Sequence, residues 1–113
     1  MSNPDVISLY AHRKRIKIPW PKYMKALTRH DLPLRANERA VALVIFMYAD
    51  MKTLTCFPSI AEISRRARVS PRTVFQAIKK LEELGFVKVT KRHRTGGKYA
   101  CNHYDFNPLR MHI

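Results

Sequence analysis

Between Pro58 and Gly85 the sequence carries two helix starts and two helix stops at close intervals, which leaves the chain few folds to choose from. Ser59-Ile60-Ala61-Glu62 is a capping box, with a serine hydroxyl placed to accept the N3 amide and a glutamate that reaches back to the cap. It predicts a helix to about Ala67. Ser70 is suited to cap a second helix, with Pro71 at its first position, where the missing N–H costs nothing. Leu84-Gly85 predicts the stop, through a glycine in the left-handed conformation. Arg68-Val69-Ser70 is all that separates the two helices, so the second must turn sharply away from the first.

The faces of these helices differ in chemistry. At about 100° per residue, Ile60, Ile63, Ser64 and Ala67 share one side of the first helix, and Glu62, Arg65 and Arg66 fall away from it. In the second, Val74, Ala77, Ile78 and Leu81 form the face to be buried. Opposite stand Arg72, Gln76 and Lys79, flanked by Thr73, Phe75 and Lys80. This is a surface of hydrogen-bond donors of the kind that reads base edges in a major groove. Phe75 stands between two roles, contact with a thymine methyl and packing in the core.

Around this pair the chain supplies a scaffold and two basic extensions. Residues 36–51 predict a helix that is apolar nearly all round and must be covered on several sides, by its own domain or by a second subunit. Homodimerisation is therefore left open. Pro19-Trp20-Pro21 precedes a short predicted helix over 22–30, and Trp20 is expected to plug a hydrophobic surface. After Gly85 the hydrophobic period changes to two, which predicts strands over 86–90 and 98–106. Lys91-Arg92-His93-Arg94-Thr95-Gly96-Gly97 joins them, and its Gly-Gly turn lets the ribbon reverse with a cationic tip. The expected organisation is a basic arm at 1–20, one domain at 21–108 and a tail at 109–113.

Charge points the same way. The 113 residues contain 22 Lys and Arg against 8 Asp and Glu, a formal net charge of +14, and such a field attracts polyanions. The excess lies in 1–35 and 59–113, whereas 36–58 carries two basic and two acidic residues. The longest apolar run, 40–49, is half of the roughly 20 residues that cross a bilayer as a helix, so no membrane partner is expected. The N-terminus lacks the basic and apolar regions of a secretory signal, and the two cysteines, 45 residues apart, form no CxxC pair. A reducing cytoplasm is the expected compartment. Carboxylates are scattered or used as caps, and no phosphate loop or nucleophile motif occurs, so neither an enzyme nor a cofactor is expected. Cys56, Cys101 and His103 lack the spacing and the fourth ligand of a zinc site. A protein-binding surface would show an apolar patch on the second helix, where Phe75 alone offers one.

From Cys56 to about Pro108 the chain resembles winged helix-turn-helix proteins of phage and plasmid regulators and replication initiators. The resemblance rests on Pro58-Ser59, Val69-Ser70-Pro71-Arg72-Thr73-Val74, Leu81-Glu82-Glu83-Leu84-Gly85-Phe86 and Asn102-His103-Tyr104-Asp105-Phe106. The part before it, from Ile18-Pro19 through the helix at 36–51, resembles phage replication proteins of the lambda O type. Repressors of the GntR type share the Pro-Ser and Val-Ser pieces, but their ligand-binding domain would need another hundred or more residues, so no small-molecule effector is expected. Pro71 departs from the pattern where such families often carry arginine, which removes one phosphate or base contact.

The resemblance implies an α+β, mainly α fold, a winged helix-turn-helix with a three-helix core, a two-stranded β wing and the basic arm. The expected partner is double-stranded DNA. Arg72, Gln76 and Lys79 would read the major groove, with Thr73, Phe75 and Lys80 beside them, and Arg66 and Ser70 would hold phosphate. Arg92, Arg94 and Lys98 on the wing, with Arg13, Lys14, Arg15 and Lys17 on the arm, would add sequence-independent affinity. Transcription regulation is the expected use, with origin binding in replication, or an architectural role in recombination, as the alternatives.

Overall fold

The computed structural model describes residues 18–93 and 99–113. Among the described residues, four α-helices, three strands and a closing 3-10 helix follow one another as α1 (Trp20–Leu27), α2 (Ala36–Met47), β1 (Thr55–Cys56), α3 (Ile60–Ala67), α4 (Pro71–Glu83), β2 (Lys88–His93), β3 (Tyr99–Asp105) and the 3-10 helix (Asn107–His112). The fold is α+β and mainly α, a helix-turn-helix followed by an antiparallel ribbon.

α2 is the scaffold. It packs against α1, α3 and α4, and Val41, Ala42, Ile45 and Phe46 are buried, while Leu43 and Val44 lie half-buried against the same core and Met47 is exposed. Its neighbours within one chain therefore cover most of the apolar circumference that the sequence predicts. The helix stops at Met47, short of 51, because the chain must turn through residues 48–54 to lay β1 beside β3. Leu54 makes that turn with φ 58° and is buried.

α1 is shifted toward the N-terminus relative to its predicted span. It ends at Leu27 because the Thr28 hydroxyl donates back to the Met24 carbonyl at 2.7 Å, which competes with continuation of the helix. Trp20 does not plug a surface as expected. It is 59% exposed, because Tyr23, Ala26 and Leu27 take the inward positions of this short helix.

The sheet order is β1-β3-β2, so β3 is central. β2 runs on to His93, three residues beyond its predicted end, because Lys91, Arg92 and His93 find partners in Asn102, Cys101 and Tyr99. A register shift between Arg92 and His93 interrupts the ladder, a feature that bends and twists a ribbon. Cys56 faces Tyr104 in register, which leaves the Cys101 backbone three positions farther along β3, roughly 10 Å away, too far for a disulfide. The buried Cys56 thiol donates to the Ile45 carbonyl at 3.4 Å, and burial pushes its pKa up to about 12, so it packs as an inert apolar group.

The segment 109–113, expected as a tail, closes the domain instead. Leu109 is fully buried, Arg110 donates to the Tyr23 hydroxyl at 3.4 Å, and the His112 ring meets Phe86 edge-on with centroids 4.6 Å apart. None of the described helices is long and apolar enough to cross a membrane.

Candidate nucleic-acid interface

Both serine caps that the sequence predicts are formed, but the reciprocal half of the capping box is not, because the Glu62 carboxylate turns to the Tyr48 hydroxyl and does not bond the Ser59 amide. The Ser59 hydroxyl accepts the Glu62 amide at 3.0 Å, and the Ser70 hydroxyl accepts the Thr73 amide at 3.2 Å. Arg68 ends α3 in the left-handed conformation, φ 57° and ψ 47°, and Ser64 fixes the turn by donating to the Val69 carbonyl. A non-glycine residue held there costs about 1 kcal/mol or more, a position that helix periodicity does not reveal. At the far end of α4, Gly85 has φ 78°, and the Phe86 amide bonds the Leu81 carbonyl at 3.0 Å with both side chains buried. This is the Schellman closure. It aims the chain from α4 into β2.

Val74, Ala77, Ile78 and Leu81 are 0–6% exposed, so α4 presents the opposite face outward. Arg72, Gln76 and Lys79 are exposed, and none of them forms a hydrogen bond or ion pair with another described residue. Gln76 and Lys79 line one wall of a depression of about 350 Å³, with Arg35 and Glu38 across it. Thr73 is half-buried, and its hydroxyl lies 3.1 Å from that of Ser70. Ser70 is thus occupied as a helix cap. Phe75 is 55% exposed, which removes it from the core.

Lys80 does not stand with the open donors. Its ammonium lies 3.3 Å from Glu38 Oε1 and 3.5 Å from the Pro33 carbonyl, which ties α4 to the start of α2. Glu38, only 6% exposed, also accepts the Arg35 amide at 2.8 Å. Burial pushes its carboxyl up, but the Arg35 amide and the Lys80 ammonium together outweigh that and leave it below its ordinary value. Its unfolded pKa is about 4.3. The stability it contributes is therefore present above that pH and is lost as pH falls through the lower, folded value. Glu38→Gln should cost about 1 to 2 kcal/mol at neutral pH and should flatten the acid limb of the stability curve. Urea titrations of both proteins between pH 3 and pH 7 check this.

Arg66 is exposed, and its guanidinium carbon lies 5.5 Å from the centroid of the Tyr48 ring. The Tyr48 hydroxyl donates to Glu62 Oε2 at 2.8 Å, and Glu62 in turn meets Arg65 at 3.7 Å. Burial, and then the hydrogen bond to Glu62, hold the Tyr48 phenol above its ordinary pKa, so it stays a donor. Tyr48, itself held by Glu62, thus steers Arg66 from outside α3, and it carried no site signal in the sequence.

Arg92 sits in β2 opposite Cys101, with its side chain outside what is described. Arg94, Lys98, Arg13, Lys14, Arg15 and Lys17 lie outside the described residues. Among the described residues, no three of His, Cys, Asp and Glu gather as a metal site.

Residues 32–87, from the turn before α2 to the residue before β2, match a family model described as a helix-turn-helix domain. No curated protein and no solved structure matches the chain. The match supports a helix-turn-helix family of DNA-binding domains, in agreement with the geometry of α3 and α4.

Proposed function

We propose that this chain binds double-stranded DNA sequence-specifically, with α4 in the major groove, and acts as a transcription regulator rather than an enzyme. One observation carries the reading: Arg72, Gln76 and Lys79 stand exposed, bonded to no other described residue, on the face of α4 opposite its buried residues. Arginine and lysine pair with guanine, and glutamine with adenine, so these three side chains hold the donors and the acceptor that base edges require. The net charge of +14 supplies the sequence-independent attraction to phosphate. Arg66, held beside Tyr48, is placed to add a backbone contact from α3. The cations of the arm and wing serve the same purpose in this proposal.

Selection from random duplexes at physiological ionic strength tests it. The expected result is one enriched sequence, bound roughly a thousandfold or more tighter than random DNA, with affinity falling steeply as salt rises. Recovery of no preferred sequence would overturn the proposal. Genome-wide mapping of bound sites tests the regulatory part, for which promoter-proximal sites are expected. Clustering at a replication origin or at recombination sites would replace that part and leave DNA binding intact.

A further inference from the structure

We infer that Phe75 recognises the C5-methyl group of a pyrimidine in the major groove. The inference rests on the DNA-binding reading and adds a specificity determinant to it. At about 100° per residue, Phe75 and Lys80 stand on opposite flanks of the face formed by Arg72, Gln76 and Lys79. The two flanks have different fates. Lys80 is drawn back onto Glu38 and the Pro33 carbonyl, so its edge of the face is closed by the protein itself. Phe75 remains 55% exposed, and it takes no part in the ring contacts formed among the described residues.

The core does not require this ring, because Val74, Ala77, Ile78 and Leu81 already fill the inward side of α4. Its neighbours one turn away along the helix are Arg72 and Lys79, so whatever covers it must also satisfy two cations. A protein partner would need a wider apolar patch than one ring among charges. A duplex supplies both demands at once, with polyanionic rails and one apolar substituent, the C5-methyl, projecting into the major groove. A phenyl ring carries no donor or acceptor, so that methyl is what it can distinguish. Thymine and 5-methylcytosine present the same group at the same place.

The experiment begins from the duplex that the wild-type chain selects. Each thymine is replaced singly by uracil, which removes the methyl alone, and each cytosine singly by 5-methylcytosine, which adds it. For the wild-type chain, one uracil replacement should weaken binding about four-fold, the loss expected for one buried methyl-sized group. If the methyl comes from 5-methylcytosine, one methylation should instead strengthen binding by a similar factor. Phe75→Ala should bind the methylated and unmethylated versions of that position equally, and Phe75→Leu should retain the difference in part. Thermal melts and affinity for random DNA confirm that both variants fold. A wild-type chain indifferent to every replacement on its selected site overturns the inference and leaves the DNA-binding reading standing, as does a Phe75→Ala variant with undiminished methyl discrimination. Failure to select any site overturns both.

Discussion

With Arg72, Gln76 and Lys79 all replaced by alanine, the chain should fold as before and bind its preferred duplex hardly better than random DNA. The three side chains are exposed and bond to no other described residue, so their removal leaves the core of Val74, Ala77, Ile78 and Leu81 untouched. Exposed substitutions of this kind usually change stability by less than about 0.5 kcal/mol. Each good side-chain to base contact supplies about 1 to 3 kcal/mol of discrimination, so Arg72→Ala alone should cost about that much. The triple variant should lose roughly two to four orders of magnitude on the preferred site, allowing for non-additivity within one surface. Binding to random DNA should fall far less, since phosphate attraction is spread over the whole cationic chain. Anisotropy titrations on both duplexes at one fixed salt concentration, with a melting curve for each variant, check the result. An equal loss on both duplexes would mean that these residues position the protein and do not read sequence.

The second large effect concerns a phenylalanine of the opposite kind. Phe106 is fully buried at the end of β3, its ring stands edge-on to Phe46 of α2 with centroids 5.2 Å apart, and its amide bonds the Leu54 carbonyl at 2.8 Å. It joins the ribbon to the scaffold helix. Phe106→Ala should destabilise the fold by about 3 to 5 kcal/mol, through lost transfer energy and the cavity left behind. For a domain of this size that lowers the melting temperature by roughly 12 to 20 °C. Phe75→Ala, by contrast, should leave it nearly unchanged, because that ring is already largely exposed to water. Calorimetry of the two variants side by side makes the comparison. A small loss for Phe106→Ala would mean that the ribbon is anchored chiefly by its ladder and not by its packing on α2.

The contrast between these rings shows where sequence reasoning succeeds and where it stops. The caps at Ser59 and Ser70 and the buried face of α4 were legible because each depends on hydrogen bonds and side-chain directions spanning three or four residues. Phe75 lay at the edge of the buried arc, and periodicity alone could not say which side would claim it. β2 outran its predicted end because strand length is set by the partner, and the partner of Arg92 is Cys101. Lys80 carried the same charge as Lys79 in the same helix, yet Glu38, 42 residues upstream, captured one and not the other.

The linear order of residues therefore determined the helix pair, its three-residue turn, the outward donor surface and the presence of a basic ribbon. Tertiary packing alone decided which cations pair with another described residue, where Arg66 is steered, how far the ribbon pairs, and that Leu109 closes the core. The division follows range. Caps and amphipathic faces are written within one or two turns of chain. Ion pairs, strand register and ring contacts depend on groups that only folding brings together, and their energies exist only once the loops between them have closed.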